Sequence, residues 1–274
     1  MKLTTRKTPA GLTRLELLIV IVIILVLVSM FLPAMGKAKV KGGGFKCVLN
    51  QKQIGTAFRV FASENGELYP LQAKGKPYIY QPGETNTGPG AVVSTNAQAW
   101  QVFQALWNEL QTPKVLRCPQ DTNRFAFKHV SDFNGLAGAP GTMTTPSLGH
   151  PDNQNRAVSY TTLALAVESK PLQLLSTDRN IKSASSTNAA ATMRPRPSGI
   201  RITVASASSA KKQHWINGPG ATIHELQGNL TYADGSVQQG DATVLQQALL
   251  NAGAAYGWGT PTAPGPGASV FLMP

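Results

Sequence analysis

The chain holds 274 residues with a formal net charge of +12, 42 % apolar residues, two cysteines, 26 glycines and 19 prolines. That length accommodates one good-sized domain, alone or with a membrane anchor. The apolar share excludes a disordered chain, while the glycine and proline content implies a loop-rich fold with a modest core. The positive charge invites an anionic partner such as nucleic acid, lipid headgroups or a cell-wall polymer, but it bears on association and not on fold.

The first element is an apolar run, Leu15 to Leu32, interrupted only by Glu16 and Ser29. As a helix it reaches about 27 Å, close to the hydrocarbon thickness, so the spacing predicts one membrane span. A carboxylate inside such a run is expensive and is kept where it has a partner or a task. Lys2, Arg6, Lys7 and Arg14 before the run balance Lys37, Lys39, Lys41 and Lys46 after it, so charge does not orient it. Gly42, Gly43 and Gly44 follow, at roughly 1 kcal/mol each relative to alanine in a helix, and a break or hinge is expected there. Pro33 predicts a milder kink.

Cys47, Ile54, Phe58 and Phe61 recur at helical spacing, which predicts an amphipathic helix able to pack on a globular head, stopped by Asn65-Gly66. Gln81 to Gly90 reads as a surface loop. Ala97 to Gln111 carries Trp100, Phe103, Leu106, Trp107 and Leu110 on one helical face, which reads as a core stripe or as a membrane-binding one. Strands are expected at Val158 to Val167, Leu172 to Ser176, Ile200 to Ala205 and Asn229 to Val237, the last a hairpin turning at Asp234-Gly235. Ser183 to Thr192 reads as a loop, Asp241 to Gly253 as a capped helix, and Pro261 to Gly267 as neither strand nor helix.

A basic leader ending in Gly11, a new start at Leu12, an acid at the fifth position of the remainder (Glu16) and a proline at its twenty-second (Pro33) resemble the type IV pilin and type II secretion pseudopilin family. Leu12 stands where that family usually has phenylalanine, and Arg14 where a small or hydroxylated residue is typical. Further along, CVLNQKQIGTAFRVFASENGELYP from Cys47, VLRCPQD from Val115 and SYTTLALAVE from Ser159 resemble landmarks of a large group of pseudopilin-like proteins. His224, followed after nine residues by Asp234-Gly235, matches their H-x9-DG signature.

The resemblance implies cleavage between Gly11 and Leu12 by a prepilin peptidase and methylation of the new amine, with Glu16 pairing with the amino terminus of a neighbouring subunit. It implies a leader (1–11), a transmembrane and filament-core helix (12–35), an amphipathic continuation broken at Gly42–Gly44 (36–64), and an extracytoplasmic head (65–274). The expected fold is α+β, a long hydrophobic N-terminal helix packed on an antiparallel sheet. The expected place is the inner membrane, single-pass, with a periplasmic head that can be drawn into a filament. The implied partners are like pilin subunits, the peptidase, an inner-membrane assembly platform and membrane lipid.

For an exported head, Cys47 and Cys118 either form a disulfide closing a long loop or remain two buried thiols. His224 with Asp234 offers a base and its orienter, as in a membrane-anchored hydrolase, but no nucleophile motif accompanies them, and Asp-Gly is what a hairpin turn demands in any case. The histidines and cysteines show no close metal-ligand spacing. No cofactor is expected beyond a calcium ion at Asp234, by analogy with secretion pseudopilins. Eight basic residues between Ser169 and Ile223 face one acid, Asp178; this reads either as a solvated face or as a site for DNA or a surface polymer. The leading expectation is a non-enzymatic structural subunit.

Overall fold

The computed structural model describes residues 13–73, 98–121, 130, 132–133, 147–149, 153–183, 200–216, 223–224, 226–258 and 269–273. Gly11, Leu12 and the expected loops at 81–90, 184–192 and 261–267 lie outside them. The chain divides into two compact units, Met1–Gly42 and Gly43–Pro274.

Helix α1 is Arg14–Glu64. It opens with a reciprocal cap: the Thr13 backbone N–H donates to Glu16 Oε2 at 2.7 Å, and the Glu16 N–H donates to Thr13 Oγ1 at 3.3 Å. Threonine followed three residues later by glutamate is the capping-box pattern, so Glu16 satisfies an orphan donor of its own helix. The helix contains Pro33 and is assigned through 42–44, and the boundary between the two compact units falls there, between Gly42 and Gly43. A Cβ at Gly44 would meet only ordinary contacts, 3.8 Å from Gln120 Nε2 and 4.0 Å from His224 Nδ1. Nothing in the structure explains why 42–44 are glycine.

The expected hydrophobic pilin-type helix is corrected here. Among the described residues no helix is long and apolar enough to cross a membrane. The transmembrane and single-pass inner-membrane expectations therefore have no helix among the described residues to carry them. The part of α1 that packs is a different one: Cys47, Ile54, Ala57, Phe58, Phe61 and Ala62 are buried in the head. Gly66, at φ +67°, follows the helix where Asn65-Gly66 was expected to stop it.

The remaining elements are α2 (Ala99–Ala105), α3 (Trp107–Leu110), β1 (Tyr160–Leu163), β2 (Leu174–Asp178), β3 (Ile181–Ser183), β4 (Ile200–Val204), α4 (Ala207–Ala210), β5 (Gln213–Trp215), β6 (Gly228–Tyr232), β7 (Val237–Gly240), α5 (Ala242–Tyr256) and β8 (Ser269–Met273). Six strands form an antiparallel sheet in the order β4-β8-β1-β2-β6-β7, and β3 pairs with β5. The helix expected over 97–111 is divided at Leu106, which ends α2 and precedes α3. Its Phe103 and Leu106 are buried, so that stripe is core, while Trp107 is exposed.

Alternate residues of the sheet enter two separate apolar clusters. Leu175 and Leu272 join the α1 and α2 residues on one face, whereas Leu174, Leu230 and Phe271 join Leu245 and Leu249 of α5 on the other. Period-two alternation sends successive side chains to opposite faces, so both faces are covered and β2 is buried at every residue. Asp241 caps α5 by accepting from the backbone N–H groups of Thr243 and Val244.

Close approach fixes where α1 crosses the β6–β7 hairpin. A Cβ on Gly55 would lie 3.0 Å from Thr231 Cγ2 and 3.3 Å from Gly235 Cα. Alanine is the better helix former by about 1 kcal/mol, yet Gly55→Ala should lower the stability of the head by about 1–2 kcal/mol through overpacking. Chemical denaturation of the two proteins checks the sign.

Candidate functional site

The second half of α1 is keyed to the head by polar contacts as well as apolar ones. Asn50 Nδ2 donates to the Arg117 carbonyl at 2.9 Å and lies 3.3 Å from the Tyr160 hydroxyl. Thr231 Oγ1 donates to Gln51 Oε1. Arg59 Nη1 donates to the Asp234 carbonyl at 3.2 Å, and beyond the helix the Tyr69 hydroxyl donates to the Ala233 carbonyl at 2.8 Å. Residues 50 and 51 share the face that carries Cys47 and Ile54, and Arg59, four residues after Gly55, lies on its flank, so the helix is read by strands β1 and β6 and by the hairpin turn.

Cys47 and Cys118 form a disulfide with Cα atoms 5.1 Å apart, which decides between the two expected states of the pair. Cys118 follows the turn at Pro113–Leu116. Both cysteines are fully buried. The bond closes a loop of sequence separation 71 between α1 and the segment leading to Asp121.

His224 lies against this bond, its Nε2 3.6 Å from Cys118 Sγ. The same nitrogen is 3.6 Å from Asp178 Oδ2 and 3.2 Å from Asn229 Nδ2. Asn229 donates to Asp178 Oδ2 through its backbone N–H at 2.7 Å and through Nδ2 at 3.0 Å. With its other Nδ2 proton aimed at the ring, Asn229 makes Nε2 an acceptor and leaves the ring proton on Nδ1. Behind them Arg179 grips Asp121 in a fork, Nη2 to Oδ1 at 2.6 Å and Nε to Oδ2 at 2.8 Å, with both side chains buried.

Burial sets the charge states. It pushes the Asp178 carboxyl up to about 7 against the opposing pull of the Asn229 N–H and Gln51, and pushes His224 down to about 4 against the attraction of Asp121. Between those values both groups are neutral, so their 3.6 Å approach is a contact of neutral groups and not an ion pair.

The less favoured alternative, a dyad of His224 and Asp234, is not assembled. The carboxylate beside His224 is that of Asp178, while Asp234 Oδ1 accepts from the Ser236 N–H at 2.8 Å within the β6–β7 turn, and Gly235 takes φ +80°. The signature thus has two structural tasks, His224 beside the disulfide and Asp234-Gly235 turning the hairpin under Gly55. Among the described residues the side-chain cluster able to hold a metal is Cys47, Cys118 and His224. Arg179, counted in the basic stretch, is withdrawn into the core, which weakens that stretch as a nucleic-acid surface.

No protein-family profile, characterised protein or solved structure matches the chain. Sequence reading missed Asp178, Arg179, Asn229 and Asp121 as members of this site. The available signal was Asp178-Arg179-Asn180 directly after the apolar start of β2, where a strand covered on both faces leaves charged groups no route to water.

Opening the disulfide should cost the head about 4 kcal/mol in the chain-entropy account of a loop this long; Cys47→Ser measured by denaturant unfolding checks it. Acid acts in opposite senses on the neutral pair. Asp178 keeps its proton up to about pH 7 when folded but only to about 3.8 when unfolded, so acidification across that window stabilises the fold. His224 takes its proton near 6.5 when unfolded but near 4 when folded, so acidification there destabilises it. Relative to the parent chain, His224→Gln should therefore gain stability from pH 6.5 to 4 and Asp178→Asn should lose it, as read by melting temperature across that range.

Proposed function

We propose that the chain is a structural subunit of the pseudopilin-like kind, without catalytic activity of its own, cut after Gly11 by a prepilin peptidase and assembled with like subunits through the start of α1. The observation that carries this reading is the exposure of every large apolar side chain from Leu15 to Val28, between 46 and 70 %. A helix that is apolar on all sides and bare needs cover from all sides, and a bundle of like helices supplies it. The order of motifs from Gly11 to Gly235 supports the same family of machines, type II secretion or type IV pilus-like, with an assembly platform as the further partner.

Glu16 has two tasks in this reading. It caps its own helix through Thr13, and in the assembly its charge meets the new amine of a neighbour, since a buried carboxylate is tolerated when an ammonium neutralises it. Glutamine preserves a capping box and removes the charge, so the tasks separate.

Gly11→Val should leave the leader attached, read by intact mass. Glu16→Gln and Glu16→Leu should both be cleaved normally and both fail to give the ladder of cross-linked oligomers that the parent chain gives. Assembly of the parent chain with its leader retained would sink the reading, and normal assembly of Glu16→Gln would reduce Glu16 to a helix cap.

A further inference from the structure

We propose that, with the Cys47–Cys118 bond open, the two thiolates, His224 Nε2 and the Asp178 carboxylate form a zinc site, so that the head has two mutually exclusive forms: metal-bound dithiolate and metal-free disulfide. The potential ligand atoms of Cys47, Cys118 and His224 all lie within 4.8 Å of one another. In a tetrahedral site with Zn–S and Zn–N bonds of ordinary length, sulfur and nitrogen ligands sit about 3.6 Å apart and oxygen and nitrogen ligands about 3.3 Å apart. Here Cys118 Sγ to His224 Nε2 and His224 Nε2 to Asp178 Oδ2 are both 3.6 Å. Two edges of the tetrahedron are therefore already close to length, and the sulfurs have only to separate to about 3.8 Å, the edge between two thiolate ligands.

The surroundings suit a metal. Asn229 holds Asp178 Oδ2 through two donors, the outer support that fixes a ligand of a metal site, while its Nδ2, 3.2 Å from His224 Nε2, gives up that contact when the ring nitrogen turns to the metal. Two thiolates with one imidazole and one carboxylate is a donor set that zinc accepts in closed tetrahedral sites. His224 itself sits at φ +57°, a left-handed conformation uncommon outside glycine, which places the ring between the disulfide and β2.

The two forms interconvert by balanced chemistry. Zinc binding to the dithiol releases two thiol protons and, below about pH 7, the proton that Asp178 otherwise holds. An oxidant of the disulfide class then takes two electrons from the dithiolate and two protons from solvent, becomes a pair of thiols, and leaves the Cys47–Cys118 bond and free zinc. Because both sulfurs are buried in the oxidised head, the metal loads before that bond closes.

The full chain, reduced with a phosphine in denaturant and refolded without oxygen, is titrated with Co²⁺ and Zn²⁺. One equivalent should bind with thiolate-to-cobalt charge-transfer bands and tetrahedral d–d bands, zinc should displace the cobalt, and the oxidised chain should bind neither. His224→Ala and Asp178→Asn should each weaken zinc at least tenfold. A reduced chain that folds only when zinc is added supports the site equally. A reduced chain that shows no thiolate–cobalt bands, or that binds zinc with unchanged affinity after His224→Ala, overturns it.

Discussion

The docking of residues 47–62 of α1 on the sheet is the contact on which the rest of the head depends. A six-stranded antiparallel sheet with apolar side chains on both faces needs two covers. α5 supplies one from a short capped helix, and α1 supplies the other. Apolar area alone would let α1 slide along the sheet, since the hydrophobic effect is non-directional. The disulfide at one end, Gly55 against the hairpin in the middle, and Asn50, Gln51 and Arg59 reaching backbone or side-chain partners fix the helix in one register.

The same docking creates the polar interior. Strand β2 passes between the two apolar layers and delivers Asp178 and then Arg179 into a place without water. Each is accommodated differently. Arg179 keeps its charge, because its fixed fork finds both oxygens of Asp121. Asp178 has no cation of that geometry beside it and holds a proton instead, with Asn229 satisfying one oxygen. One acid is paired and its neighbour is neutralised, which is how a buried pair of carboxylates avoids mutual repulsion.

Much of this was legible in the residues, for local reasons. The spacing of Cys47, Ile54, Phe58 and Phe61 identifies the docking face because helical periodicity survives in any context, and Asp241 and Asp234-Gly235 announce a cap and a turn through chemistry confined to a few neighbours. Strands β3 and β5 escaped notice because three-residue strands carry no period to detect, and β8 because it follows a proline-rich segment. The glycine run at 42–44 stays within α1, because a long helix can absorb weak local propensity, and the boundary between the two compact units falls at Gly42/Gly43. For His224 and Asp234 the turn reading was the better one: the turn that uses Asp234 points its carboxylate at the Ser236 N–H.

The covalent tie between Cys47 and Cys118 also has a mechanical meaning. It joins the first turns of the docked helix to a segment that leads straight to the Asp121–Arg179 fork and so to β2, an interior strand of the sheet. A pull on the helix from its N-terminal side is carried across that bond to the middle of the head before it loads Gln51, Gly55 or Arg59. Without it the same pull would peel the helix from the sheet one contact at a time. With it those contacts are shielded from tension, and the head resists as a single body.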